Sequence, residues 1–257
     1  DKSTVAEIRD RFDNDVERFS NLETGQVAAK GSLERMSLVA EAAVATTPAL
    51  LADDASLCDI GCGAGNYTLR LLQEITAAGG HPAHLSMTLI DLSRPMLDRA
   101  VERLTQAGIA SHRITPIQAD IRDVELGVAR FDTILAAASL HHLRGDDEWQ
   151  AVFNAMGHAT RPGGSCWVSD SVEHESPGVA RVMDRRWAAY LESVDGPAYR
   201  DKVMTYVVEE DTPRPLGYQL DLLRCAGFDH VDVLTADTRF AAFGGVKSST
   251  ATADSNA

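Results

Sequence analysis

Apolar side chains at the start of the chain recur with near-helical spacing. Ile8, Phe12, Val16 and Phe19 fall on one face, and Leu33 to Val44 is rich in Ala, Leu, Met and Val. Residues 1–50 therefore read as a helical segment placed to cover a site. From Ser56 the grammar changes to strand, glycine turn, helix. SLCDIG is a short apolar strand ending in glycine, and a helix follows over Asn66–Ile75. LSMTLID is the next strand, and the helix over Arg94–Leu104 carries Pro95 in its first turn. RITPIQ, FDTILAAA and SCWVSD are further short apolar runs. Short buried strands separated by helices predict a parallel sheet covered on both faces, with right-handed crossovers.

After Asp170 that alternation stops. Helix-like stretches around Val179–Ser193 and Tyr199–Glu209 have no strand between them and read as a helical insert over about 171–212. DTPRP opens another helix ending at Gly227, and FDHVDVLTA with RFAAFGGV reads as an antiparallel hairpin. The small polar tail, 248–257, reads as disordered. The expected fold is α/β: a Rossmann-like, doubly wound, seven-stranded sheet with an antiparallel C-terminal hairpin. Helices over 1–50 precede a main domain over 51–247, which carries its helical insert after the fifth strand.

Charge narrows the partners. With 38 acidic and 24 basic side chains the formal net charge is −14, which argues against DNA and against generic phosphate-backbone binding. A tRNA partner would need a local basic face. No run reaches the roughly 18 apolar residues of a membrane helix, so no membrane partner is expected. The charged, amphipathic start lacks the apolar core of a signal peptide. Four cysteines (Cys58, Cys62, Cys166, Cys225) in so long a chain make no disulfide framework, and the expected location is cytoplasmic.

The strongest signal is Asp59-Ile60-Gly61-Cys62-Gly63-Ala64-Gly65-Asn66, which leaves a strand and enters a helix. Glycines at alternate positions let backbone pass close under a ligand, and the helix start offers free N–H groups to an anion. A dinucleotide fingerprint starting at Gly61 would need glycine where Asn66 stands. Three further positions belong with the loop. Asp91 ends the second strand, where a carboxylate accepts from both hydroxyls of a ribose, with Leu92 and Met96 beside it for an adenine ring. Asp120 and Ile121 follow the third strand and match the amine and ring nitrogen of adenine. Small residues including Ala137 end the fourth strand, leaving room for a sulfonium.

Asp59 with G-x-G-x-G, Asp91, Asp120 and the Arg161-Pro162-Gly163-Gly164 turn together resemble the class I S-adenosylmethionine-dependent methyltransferases. The resemblance implies Gly61, Gly63 and Gly65 around the methionine moiety, Asp91 at the ribose and Asp120 at the adenine. It also implies S-adenosylmethionine as cofactor, S-adenosylhomocysteine as product, and methyl transfer to a small-molecule acceptor; a homodimer stays open. Phe19-Ser20-Asn21-Leu22 and Glu210-Asp211-Thr212 to Phe243-Gly244 resemble the wobble-uridine modification branch, including carboxy-S-adenosylmethionine synthase. In that branch an arginine near the place of Arg200 holds a carboxylated cofactor. A synthase or tRNA-modification enzyme is thus the alternative activity, and a non-catalytic cofactor-binding protein a second alternative.

Methyl transfer from a sulfonium is an in-line displacement in which the protein chiefly positions the acceptor. His141 and His142 follow the fourth strand and stand either as a general base or as pocket wall. Phe19, His174, Tyr199 and Arg200 are the acceptor-contact candidates, with Trp187, Tyr190, Tyr206 and Tyr218 lining a lid or packing the insert. Cys58 and Cys62 straddle the turn without a second pair, and adjacent His141-His142 need a particular loop to face one ion. No metal is expected. The absence of an Asn/Asp-Pro-Pro-aromatic sequence after the fourth strand argues against amine-directed DNA methylation.

Overall fold

The computed structural model describes residues 2–21 and 25–249. Leu22 of the Phe19–Leu22 stretch and most of the 248–257 tail lie outside them. The sheet has seven strands: β1 Ser56–Ile60, β2 Ser86–Asp91, β3 Ile114–Gln118, β4 Phe131–Ala137, β5 Thr160–Ser171, β6 His230–Asp237 and β7 Phe240–Val246. Their order is β3-β2-β1-β4-β5-β7-β6. The first five run parallel, and β7 pairs antiparallel with both β5 and β6. The chain reverses its winding between β1 and β4, so both strands deliver their C-terminal ends to one crevice.

Side-chain alternation explains why the central strands look uniformly apolar. Leu57 of β1, Leu135 of β4 and Trp167 of β5 face one core, shared with α3 Ser32–Thr46, α4 Asn66–Ala77 and α5 Arg94–Gln106. Cys58, Ile60, Ile134, Ala136, Cys166 and Val168 face the other, against α6 Asp146–Ala159 and α8 Leu216–Cys225. A strand buried on both faces needs apolar residues at every position, so period-2 alternation vanishes from its sequence. Pro116, which has no N–H, sits on the edge strand β3. The Arg161–Gly164 stretch is absorbed into β5, where the pairing slips from Phe131↔Thr160 to Thr133↔Ser165.

Helices α1 Val5–Asn14 and α2 Val16–Ser20 lead the chain. A capping box starts α1, with Thr4 and Glu7 bonding each other's backbone. The insert is α7, Pro177–Glu210, broken where Asp195 and Gly196 leave helical geometry. Trp187, Leu191 and Val203 form a small core of their own. That core is tied down by Trp187 Nε1–H donating to the Ala28 carbonyl (2.9 Å) and by Tyr190 O–H donating to that of Val27 (2.7 Å). At the far end of α7, Glu210 is buried and takes Arg11 and Ser3 from the N-terminal segment. The two helical pieces thus form one cover. Among the described residues, no helix is long and apolar enough to cross a membrane.

Candidate active site

One cavity of about 830 Å³ runs from the C-terminal ends of β1, β2 and β4 to the underside of α1, α2 and α7. The glycine loop forms its floor. Gly61 (φ +65°) and Gly63 (φ +50°) both have left-handed backbone, which L side chains adopt at a cost. They do different work. A Cβ on Gly61 would lie 2.3 Å from that of Ser139, whereas one on Gly63 would meet nothing within 4 Å and point into open space. Gly65 lies outside the cavity lining and caps α4, close against Ala100 of α5.

The carboxylates are held by backbone. Asp91 Oδ2 accepts from Gly63 N–H and Oδ1 from Ser93 N–H, both at 2.8 Å. Each oxygen keeps a second lone pair for a ligand hydroxyl. Burial raises the Asp91 carboxyl to about 6, against those two bonds. Asp59 is fully buried, which raises it to about 7. Its Oδ2 accepts from Thr68 Oγ1–H at 2.6 Å, while Oδ1 has no hydrogen bond although it is buried. An acceptor left single in a cavity wall calls for a donor from a ligand. Asp120 accepts from the backbone and guanidinium of Arg122, which outweigh its burial and hold it below the usual carboxylate range. Leu92, Met96, Ile121 and Ala137 line the same cavity.

Arg35, on α3, is a lining residue that sequence reasoning passed over. It is 4% exposed. It donates to the Ala29 and Lys30 carbonyls and stacks over Phe240, yet its Nε makes no hydrogen bond. No salt bridge joins it to a carboxylate among the described residues. In the sequence it is one arginine in an ordinary helix, with no signal to distinguish it.

His141 and His142 lie on a single 3-10 turn, Leu140–His142. The turn is pinned by Asp170, whose Oδ2 accepts from Ser139 and Leu140 N–H (3.2 and 2.8 Å), and by Thr212 N–H donating to the His141 carbonyl (2.7 Å). His141 Nδ1 bonds Asp170 Oδ1, and its Nε2 lies 3.6 Å from Asp211 Oδ1. Burial alone would lower the His141 imidazole, but these two carboxylates outweigh it and hold it at about 9. A ring protonated at neutral pH does not act as a base there. His142 is the opposite: burial, then the neighbouring His141 and Arg144, push it well below the ordinary range. It is neutral, and neither ring nitrogen makes a hydrogen bond of normal geometry.

The acceptor-contact candidates divide. Phe19 and Tyr199 line the cavity, as do Trp187 and Tyr206. His174 and Arg200 do not. His174 Nε2 bonds the Thr238 carbonyl at 2.6 Å. Arg200 pairs with Glu192 (2.5 Å) and Asp201 (2.8 Å) on α7, so the arginine near the place of the carboxylated-cofactor branch's own lies outside the cavity lining. Tyr190 and Tyr218 also lie outside the lining.

Comparison with known proteins bears on the family likeness and the fold. Residues 57–164 match the methyltransferase-domain family. An uncharacterized methyltransferase of Mycobacterium bovis is 31% identical over 110 residues, which is 43% of this chain and 47% of that protein. The chain thus matches about half the length of that curated relative. Among solved structures, magnesium protoporphyrin IX methyltransferase from Synechocystis, with bound S-adenosylhomocysteine, superposes with a TM-score of 0.62. That match is 16% identical and covers 95% of this chain and 99% of the other. An O-methyltransferase family protein from Burkholderia thailandensis gives 0.59, also at 16% identity, covering 95% of this chain and 60% of the other. At these identities the likeness is one of fold. Strand order and the partial family match agree: residues 57–164 are similar to a methyltransferase domain, on the fold seen in S-adenosylmethionine-dependent methyltransferases.

Proposed function

We propose that the protein transfers a methyl group from S-adenosylmethionine to a small, largely apolar acceptor enclosed under the helical cover. The observation that carries this reading is the continuity of the cavity. The glycine loop, Asp59, Asp91 and Asp120 stand at one end, and Ile8, Phe12, Phe19, Tyr199, Val203 and Tyr206 at the other.

The residues fit the donor by their chemistry. Gly61 and Gly63 let the loop backbone approach it. Asp91 would take the ribose hydroxyls, Asp120 and Ile121 the adenine, and the free Asp59 Oδ1 an ammonium group. The unpaired Arg35 Nε faces the same cavity and suits a carboxylate. When bound, this cofactor supplies an already activated methyl group on a sulfonium. What the chain contributes is placement and dryness: the apolar cover excludes water and sets the acceptor against the donor end of the cavity. His141, held charged between Asp170 and Asp211, acts as a positioning residue for the turn. The neutral ring of His142 faces the acceptor.

The small-molecule acceptor gains support from the fold neighbours described as acting on a porphyrin and as O-methyltransferases. Calorimetry with S-adenosylmethionine and S-adenosylhomocysteine tests the donor half. Mass spectrometry of reactions with small hydroxylated aromatic compounds tests the acceptor half, and the mass of any retained donor separates a methyl from a carboxymethyl group. Folded protein that binds neither nucleoside would overturn the proposal.

A further inference from the structure

The acceptor end of the cavity contains a constellation that methyl transfer does not itself require. His141, His142 and Asp211 each offer one ligating atom, and these atoms lie within 4.8 Å of one another. Two come from the 3-10 turn after β4 and the third from the end of α7, held together by the Thr212-to-His141 backbone bond. All three residues line the cavity. We propose that His141 Nε2, a ring nitrogen of His142 and Asp211 Oδ1 form a binding site for one divalent transition-metal ion, with its open positions facing the acceptor.

Three observations support this. Asp211 Oδ1 and both His142 nitrogens are buried without a hydrogen bond of normal geometry, so donors stand unused where a ligand would satisfy them. His141 already has the outer partner that metal-bound imidazoles usually have: its Nδ1 bonds a buried carboxylate, Asp170, which fixes the ring and leaves Nε2 free. Asp170 and Asp211 also flank a place for one positive charge.

The surroundings bear on which ion. Arg11 pairs with Glu210, Arg144 donates to the Glu210 and Ser3 carbonyls and to Thr212 Oγ1, and Arg239 lies near Asp184. These guanidiniums reduce the negative potential on which calcium and magnesium depend. Two imidazoles with one carboxylate suit Zn²⁺, Fe²⁺, Mn²⁺ or Co²⁺ instead. If the methyltransferase reading holds, the substrate class narrows to acceptors with a hydroxyl or enol oxygen. Such an oxygen would complete the coordination and lose its proton to water.

The test uses untagged full-length protein stripped with a chelator and titrated with Co²⁺ and Zn²⁺. One equivalent of ion per chain is expected, with a visible Co²⁺ absorption band, and affinity should fall at least about 10-fold in His142→Ala and in Asp211→Asn. Circular dichroism checks that each variant folds. Imidazole NMR of the wild type gives a readout independent of the variants: Zn²⁺ should move the nitrogen resonances of His141 and His142. Less than a tenth of an equivalent bound, unchanged affinity in both variants, or shifts confined to other histidines would overturn the proposal. Donor calorimetry in chelator keeps the two readings apart. Donor binding without metal binding sinks only the metal site, and the reverse sinks only the methyltransferase reading.

Discussion

Gly61→Ala is the substitution whose consequence the structure fixes most tightly. Two costs combine. The left-handed backbone at φ +65° charges an L side chain about 1–2 kcal/mol. The new Cβ would also sit 2.3 Å from Ser139 Cβ and 2.8 Å from its Oγ. Ser139 has little freedom to retreat, because its N–H donates to Asp170 and its hydroxyl to the Ile60 carbonyl. Forcing a methyl into such a contact costs about 1–3 kcal/mol, so the expected loss is about 2–5 kcal/mol. Gly63→Ala has the same backbone problem and no neighbour, and should lose only about 1–2 kcal/mol while its methyl obstructs the donor. Urea denaturation measures both, read as a shift in midpoint at constant slope. The double variant Gly61→Ala/Ser139→Gly isolates the steric part. It should recover about 1–3 kcal/mol relative to the sum of the single variants. Additive single effects, or a Gly61→Ala variant no less stable than Gly63→Ala, would refute the reasoning.

Asp91→Asn should weaken donor binding by about 1–3 kcal/mol through loss of charge-assisted hydrogen bonds, measured by calorimetry. Because Asp91 titrates near 6 and Asp59 near 7, wild-type affinity should fall as pH is lowered through that range, and a flat profile from pH 5 to 8 would count against both contacts. His141 has a folded value of about 9 against an ordinary 6.5. Its contribution is therefore complete below about pH 6.5 and lost as pH rises through 9; in chelator, the stability difference between wild type and His141→Gln should shrink over that interval. Trp187→Ala removes a side chain that is 1% exposed and bonded to the Ala28 carbonyl. It should cost about 3–5 kcal/mol, and an unchanged denaturation midpoint would show that the cover does not depend on it.

The glycine-loop end of the cavity was legible because its parts are local. Gly61 and Gly63 stand in one turn, Asp91 ends a strand and Asp120 follows one, so a linear reading finds them together. The strands and the final hairpin were legible for the same reason. The acceptor half is assembled from distant segments. Asp170 and Asp211 meet through tertiary packing, with no shared motif, and Arg35 joins the cavity from α3 in the same way. Tyr199 and Arg200 are neighbours in sequence, yet a step of about 100° around a helix puts one on the cavity and the other among surface ion pairs. Gly65 belongs to the same run as Gly61 and Gly63, but its contact is with Ala100. Adjacent His141 and His142 need a particular loop to converge, and a 3-10 turn brings their ring centroids to 4.2 Å.

The cover lies outside the stretch of chain that matches the methyltransferase-domain family. The methyltransferase match ends at residue 164 and begins at 57, whereas α1, α2 and α7 lie wholly outside those limits. On the proposed reading, the apolar acceptor contacts and the glycine loop are written in separate stretches of chain, and one can change while the other stays fixed. A lineage could acquire a new substrate by rewriting its two flanking passages together, since the Arg11–Glu210 pair couples their fates.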